Sequence, residues 1–147
     1  MLSQEAQESG GVAMKPSAKR ALQIHILLVE DEFLISEWVT EALTEQGFAV
    51  VTVTNAIDAL RCLTSGPVDV LFTDVNLPGA MDGAALARRA RELLPELPVV
   101  YASARMGMHD SSARVPDSVF VPKPYAPAYV GKVLENAVKA VGRHVLA

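Results

Sequence analysis

The chain has 147 residues, half of them apolar, and a net charge of −4 with its Lys and Arg scattered rather than striped. That length suits one domain able to bury a core without staples, and a single cysteine, Cys62, excludes an intrachain disulfide. An acidic balance argues against direct nucleic-acid binding, and the lack of a signal-peptide pattern or of an apolar run approaching about 18 residues argues for a cytoplasmic protein with no membrane partner.

Residues 1–20 hold Ser, Gln, Glu, Gly10-Gly11 and Pro16 with few large side chains, too little apolar surface to offset their own ordering entropy. They are read as a flexible leader, and residues 21–147 as the folded domain. Ile24–Val29 is a short apolar run of buried-strand type. Residues 32–46 then place Leu34, Ile35, Trp38, Val39, Ala42 and Leu43 at helical spacing, with Gly47 as the left-handed stop. A strand over Ala49–Val53 leads to a helix over Ala56–Leu63, capped by Asn55 and halted by Ser65-Gly66-Pro67, with Cys62 on its buried side.

Val68–Thr73 reads as the third strand, Pro78-Gly79 as a turn, and Asp82 as the cap of a helix ending near Leu94. Val99–Ala102 and Ser118–Val121 are strands four and five. The closing helix starts around Pro127 and turns Tyr129, Val130, Val133, Leu134, Ala137, Val138 and Val141 inward. Between strands four and five, Gly107, Asp110 and Ser111-Ser112 are poor helix-interior residues, so a short or fraying helix is expected, and 104–117 is expected to be the most mobile stretch. Fully apolar strands alternating with amphipathic helices predict an α/β fold, a five-stranded parallel sheet with helices on both faces.

In such a sheet, ligands gather outside the carboxyl ends of the strands, and Glu30, Asp31, Asp74, Ser103 and Lys123 each fall at or just past such an end. Taken singly, a Glu-Asp pair at a helix start, a turn Asp or Asn76, a capping Ser, a Lys-Pro turn and a core Phe120 are all commonplace. Together and in order, they point to phosphoryl chemistry on a carboxylate. Three carboxylates held close repel one another unless a hard divalent cation sits among them, and Mg²⁺, which prefers oxygen ligands, is the natural occupant. His25, His109 and His144 lack ligand spacing, and no Gly-rich phosphate loop follows the first strand.

This ordered set resembles the receiver domain of two-component response regulators, from about Ile24 to Val141. The resemblance implies the flavodoxin-like, doubly wound receiver fold, with Asp74 as phospho-acceptor and Glu30 and Asp31 as the acidic pair. It further implies the backbone carbonyl of Asn76 as a metal ligand, Lys123 as the partner of the phosphoryl group, Ser103 as the switch hydroxyl and Phe120 at the aromatic switch position. Lys123-Pro124 is expected to be cis, at a tight strand-to-helix turn. Pro98-Val99-Val100-Tyr101-Ala102-Ser103 is similar to a Pro-x-x-aromatic-Ala-Thr variant of stand-alone receivers, without the Gly that follows it there.

The implied function is that of a single-domain response regulator, phosphorylated by a sensor histidine kinase or a histidine phosphotransferase and signalling to an unidentified downstream protein, with homodimerisation left open. Its chemistry would be self-directed, phosphotransfer and autodephosphorylation at most, so it is not expected to be an enzyme. The alternative is a phosphorylation-independent pseudo-receiver, against which the intact acidic set and Lys123 stand. A haloacid-dehalogenase-type phosphatase wants a second carboxylate where Asn76 stands.

Overall fold

Short runs of Val, Leu and Ile make good strands only when both faces are covered, because consecutive side chains point to opposite sides. The computed structural model, which describes residues 23–104 and 114–146, builds five such strands. They are β1 (His25–Val29), β2 (Ala49–Val53), β3 (Val70–Asp74), β4 (Val99–Ser103) and β5 (Val119–Pro122), all parallel, in the order β2-β1-β3-β4-β5. The described helices are α1 (Phe33–Glu45), α2 (Ala56–Ser65), α3 (Gly83–Leu93) and α4 (Pro127–Leu146). The segment of the expected fraying helix, most of 104–117 and the leader lie outside the described residues.

Strand alternation divides the core in two. Leu27 and Val29 of β1, Leu71 of β3, and Val99 and Tyr101 of β4 pack with Ala59 and Leu63 of α2 and Leu86, Ala87 and Ala90 of α3. Their neighbours Ile26, Leu28, Val70, Phe72, Val100 and Ala102 pack on the other face with Val39 and Leu43 of α1 and Val130 and Leu134 of α4. The order reverses between β1 and β3, which makes the crevice beyond those two strands the place for a ligand.

Local signals set most boundaries. Asn55 Oδ1 accepts from Asp58 N at 2.9 Å and Asp82 Oδ1 from Ala85 N at 2.8 Å, so both expected caps form. Gly47 has φ +104°, the left-handed stop that glycine adopts without strain. Three expectations need correction. The third strand runs two residues later than its apolar run begins, because Asp69 turns back to accept from His25 N at 2.7 Å, so Asp74 itself ends the strand. Leu34 and Trp38 are 79% and 53% exposed, so the inner stripe of α1 is narrower than its spacing suggests and rests on Ile35, Val39 and Leu43. Tyr129 is likewise 56% exposed on α4.

Candidate functional site

Main-chain bonds of ladder type continue past the strand ends, from Glu30 N to Val53 O at 3.1 Å and from Lys123 N to Ser103 O at 3.0 Å. Alternation therefore carries through. Glu30 falls in step with Ile26 and Leu28, Asp74 with Val70 and Phe72, and Lys123 with Val121, all on the α1/α4 side. Ser103 falls in step with Tyr101 on the opposite side, where Phe120 packs on the core of that face, in register with Tyr101.

On the first side the charges meet. Lys123 Nζ donates to Glu30 Oε1 at 3.1 Å and to Asp74 Oδ2 at 3.2 Å, and the second Glu30 oxygen, Oε2, accepts from Glu32 N at 3.1 Å. Glu30 is 2% exposed, Asp74 8%, and Ser103 1%. Asp31 is exposed, yet one oxygen from each of Glu30, Asp31 and Asp74 lies within 4.8 Å of the others. Three carboxylates against one ammonium leave an excess of two negative charges on hard oxygen donors, which is the composition a divalent cation such as Mg²⁺ fits.

The electrostatics follow from burial. Loss of hydration is the largest influence on Glu30 and holds its carboxyl above the ordinary range, against hydrogen bonds from Glu32 N and Lys123. Asp74 is raised in the same way, with Lys123 and a backbone bond from Asn76 pulling it back and the nearby Asp31 pushing it further up. Burial alone would lower Lys123, but the Asp74 and Glu30 carboxylates outweigh it and raise its pKa, so the ammonium stays charged. The Lys123–Pro124 bond is cis, as expected.

Asn76 sits on the exposed loop two residues past Asp74. His25 opens β1, whereas His109 and the side chain of His144 lie outside the described residues. Three neighbours of the site were not singled out in the sequence. Thr73, fully buried, donates its hydroxyl to the Asp74 carbonyl at 2.8 Å. Tyr125 stacks obliquely on Phe72 at 5.7 Å, and burial, then the fields of Glu30 and Asp74, hold its hydroxyl protonated. Gly83 is the third; a glycine in a first helical turn, where almost any residue is a better helix former, is a faint sequence signal that something sits close by.

A doubly wound parallel sheet with buried carboxylates and a lysine at its carboxyl edge defines a class of phospho-accepting signalling domain. The family model of the response regulator receiver domain matches residues 26–134, and the chain belongs to that family. Receivers of this family are phospho-acceptors of two-component systems rather than ordinary enzymes, and they take phosphoryl groups from histidine kinases.

Among relatives, the chain is 34% identical over 123 residues to the transcriptional regulatory protein CseB of Streptomyces coelicolor, covering 82% of this chain and 50% of CseB. It thus spans about half the length of that regulator. It is 32% identical over 102 residues to the response regulator receiver protein CpdR of Brucella abortus, covering 68% of this chain and 84% of CpdR. A solved response regulator receiver protein from Sinorhizobium medicae superposes with a TM-score of 0.77 at 30% identity, over 82% of this chain and 98% of that one. No helix among the described residues is long and apolar enough to cross a membrane.

Proposed function

We propose that this receiver accepts a phosphoryl group on the Asp74 carboxylate from a histidine kinase or histidine phosphotransferase and signals as a single-domain regulator through protein contacts. In this reading residues 21–147 form the receiver unit, and Glu30, Asp31, Asp74 and the backbone carbonyl of Asn76 hold Mg²⁺. The observation that carries the reading is the Lys123 ammonium, within hydrogen-bond reach of both buried carboxylates. Similarity to CpdR, most of whose length the match covers, supports the single-domain part.

A carboxylate is a weak nucleophile toward a charged phosphoryl group, so the surrounding oxygens must be neutralised. A bound Mg²⁺ supplies part of that neutralisation and a template for the phosphoryl oxygens. An Asp74 oxygen forms the new P–O bond as the P–N bond of the donor phosphohistidine breaks, and the imidazole, protonated on its other nitrogen, leaves neutral. Lys123 moves its hydrogen bond from Asp74 to a phosphoryl oxygen. Ser103, from the far side of β4, is the hydroxyl that satisfies a further oxygen, and Phe120 beside Tyr101 registers that movement.

The test is intact-mass spectrometry after incubation with a small phosphodonor and Mg²⁺. One added phosphoryl group is expected, lost in Asp74→Asn; undiminished labelling of that variant would move the role to another residue.

A further inference from the structure

The glycines of this chain are not equivalent. A Cβ built on Gly66 or Gly142 would meet open space, and on Gly131 only the side chain of Gln46. On Gly83 it would overlap the Asp74 carbonyl oxygen and stand 2.8 Å from Val75 Cα and 2.9 Å from the Asp74 carbonyl carbon. Those are main-chain atoms in a buried strand end, and they have no rotamer to give. The φ of Gly83 is ordinary, so what this position needs is closeness rather than conformational freedom.

The same contact is fastened by hydrogen bonds. Gly83 N donates to Val75 O at 2.7 Å, Thr73 Oγ1 holds the Asp74 carbonyl at 2.8 Å, and Asp82 caps the first turn through Ala85 N at 2.8 Å. The bond from Gly83 to Val75 closes the loop 76–82, which carries Asn76. The start of α3 is therefore seated on the Asp74–Val75 peptide, directly after the residue that carries the site carboxylate.

We propose that Gly83 is a positioning residue for the cation site: its missing side chain lets α3 seat against Asp74 and Val75, which holds the Asp74 carboxylate and the Asn76 carbonyl at the distances Mg²⁺ requires. This rests on the reading of the site as a Mg²⁺ site. A methyl group here forces Asp74–Val75 and the α3 terminus apart. Octahedral coordination near 2.1 Å tolerates such displacement poorly.

The experiment titrates MgCl₂ into the full chain by calorimetry, for the wild type, Gly83→Ala and Gly131→Ala, with thermal unfolding run alongside. Gly83→Ala is expected to bind Mg²⁺ at least tenfold more weakly, and to need correspondingly more Mg²⁺ for half-maximal labelling by a phosphodonor. Gly131→Ala, a buried glycine changed elsewhere, should stay within twofold of wild type whatever its loss of stability. Equal Mg²⁺ affinity in folded Gly83→Ala, or equal weakening in Gly131→Ala, overturns the proposal. A wild type that takes up no Mg²⁺ overturns the site reading first and this inference with it.

If Gly83→Ala does not fold, amide exchange in the wild type decides. By linkage, Mg²⁺ must then slow exchange of the Gly83 amide several-fold more than that of Ala59 on α2. Equal slowing at the two overturns the proposal.

Discussion

Helices α1 and α3 both begin at the carboxyl edge of the sheet, and they begin differently. The α3 start is capped by Asp82, pressed against the Asp74 main chain and bonded to Val75. The α1 start follows Glu30-Asp31 with no side-chain cap at Glu32, and it shows Phe33 and Leu34 to solvent at 71% and 79% exposure. One helix end belongs to the rigid frame of the site. The other leaves an apolar surface beside it that folding does not use, so the two should respond unequally to substitution.

The largest effect is expected at the ion cluster that both helices flank. Lys123→Met removes the ammonium and leaves two buried carboxylates uncompensated, which should cost about 3–5 kcal/mol of stability in urea unfolding without metal. A loss below about 1 kcal/mol would mean that water, not Lys123, compensates the pair.

Next comes pH. The folded state holds the Glu30 and Asp74 carboxyls above their ordinary values, chiefly through burial. Each therefore contributes stability that is complete below its unfolded pKa and is lost as pH rises through the folded one. The metal-free domain should accordingly gain stability from Asp74→Asn at pH 7. The gain should shrink as pH falls through the folded-state pKa of Asp74, where the wild-type carboxyl takes up its proton. Saturating Mg²⁺ should abolish the gain at pH 7, since the cation favours the ionised carboxylates. Urea midpoints of both proteins across pH 4–7 check this, and an Asp74→Asn variant less stable than wild type at pH 7 would contradict it.

The smallest effects sharpen the contrast between the two helix starts. Asp82→Ala should cost about 1 kcal/mol through the lost cap. Leu34→Ser on exposed α1 should change stability by no more than about 0.5 kcal/mol. Comparable losses at the two positions in chemical denaturation would remove the distinction.

The sequence made the strands, the caps and the site residues legible for separate reasons. Strands such as Val99–Ala102 are continuous apolar runs, Asn55 and Asp82 stand where caps must, and the acidic and basic residues mark strand ends. The spacing of Leu34, Trp38 and Tyr129 misled because a helical repeat fixes a direction and not the width of the buried stripe. That width depends on how near the next element lies. The pairing of Lys123 with Glu30, 93 residues apart, follows from the strand order, which places β1 two strands from β5's neighbour and which no local signal encodes. The closeness of Gly83 to Asp74 is a property of packing, visible beforehand only as a glycine where a helix former would serve better.

The central claim is that Asp74, one of the two carboxylates paired with Lys123, is the one that takes the phosphoryl group. Borohydride reduction of the freshly phosphorylated protein converts an aspartyl phosphate to homoserine, and peptide mass spectrometry then reads its position. Homoserine at position 74 alone, formed only when Mg²⁺ was present during labelling, is the predicted result. Homoserine at position 31, or an unreduced chain that nevertheless carries phosphate, would contradict the account.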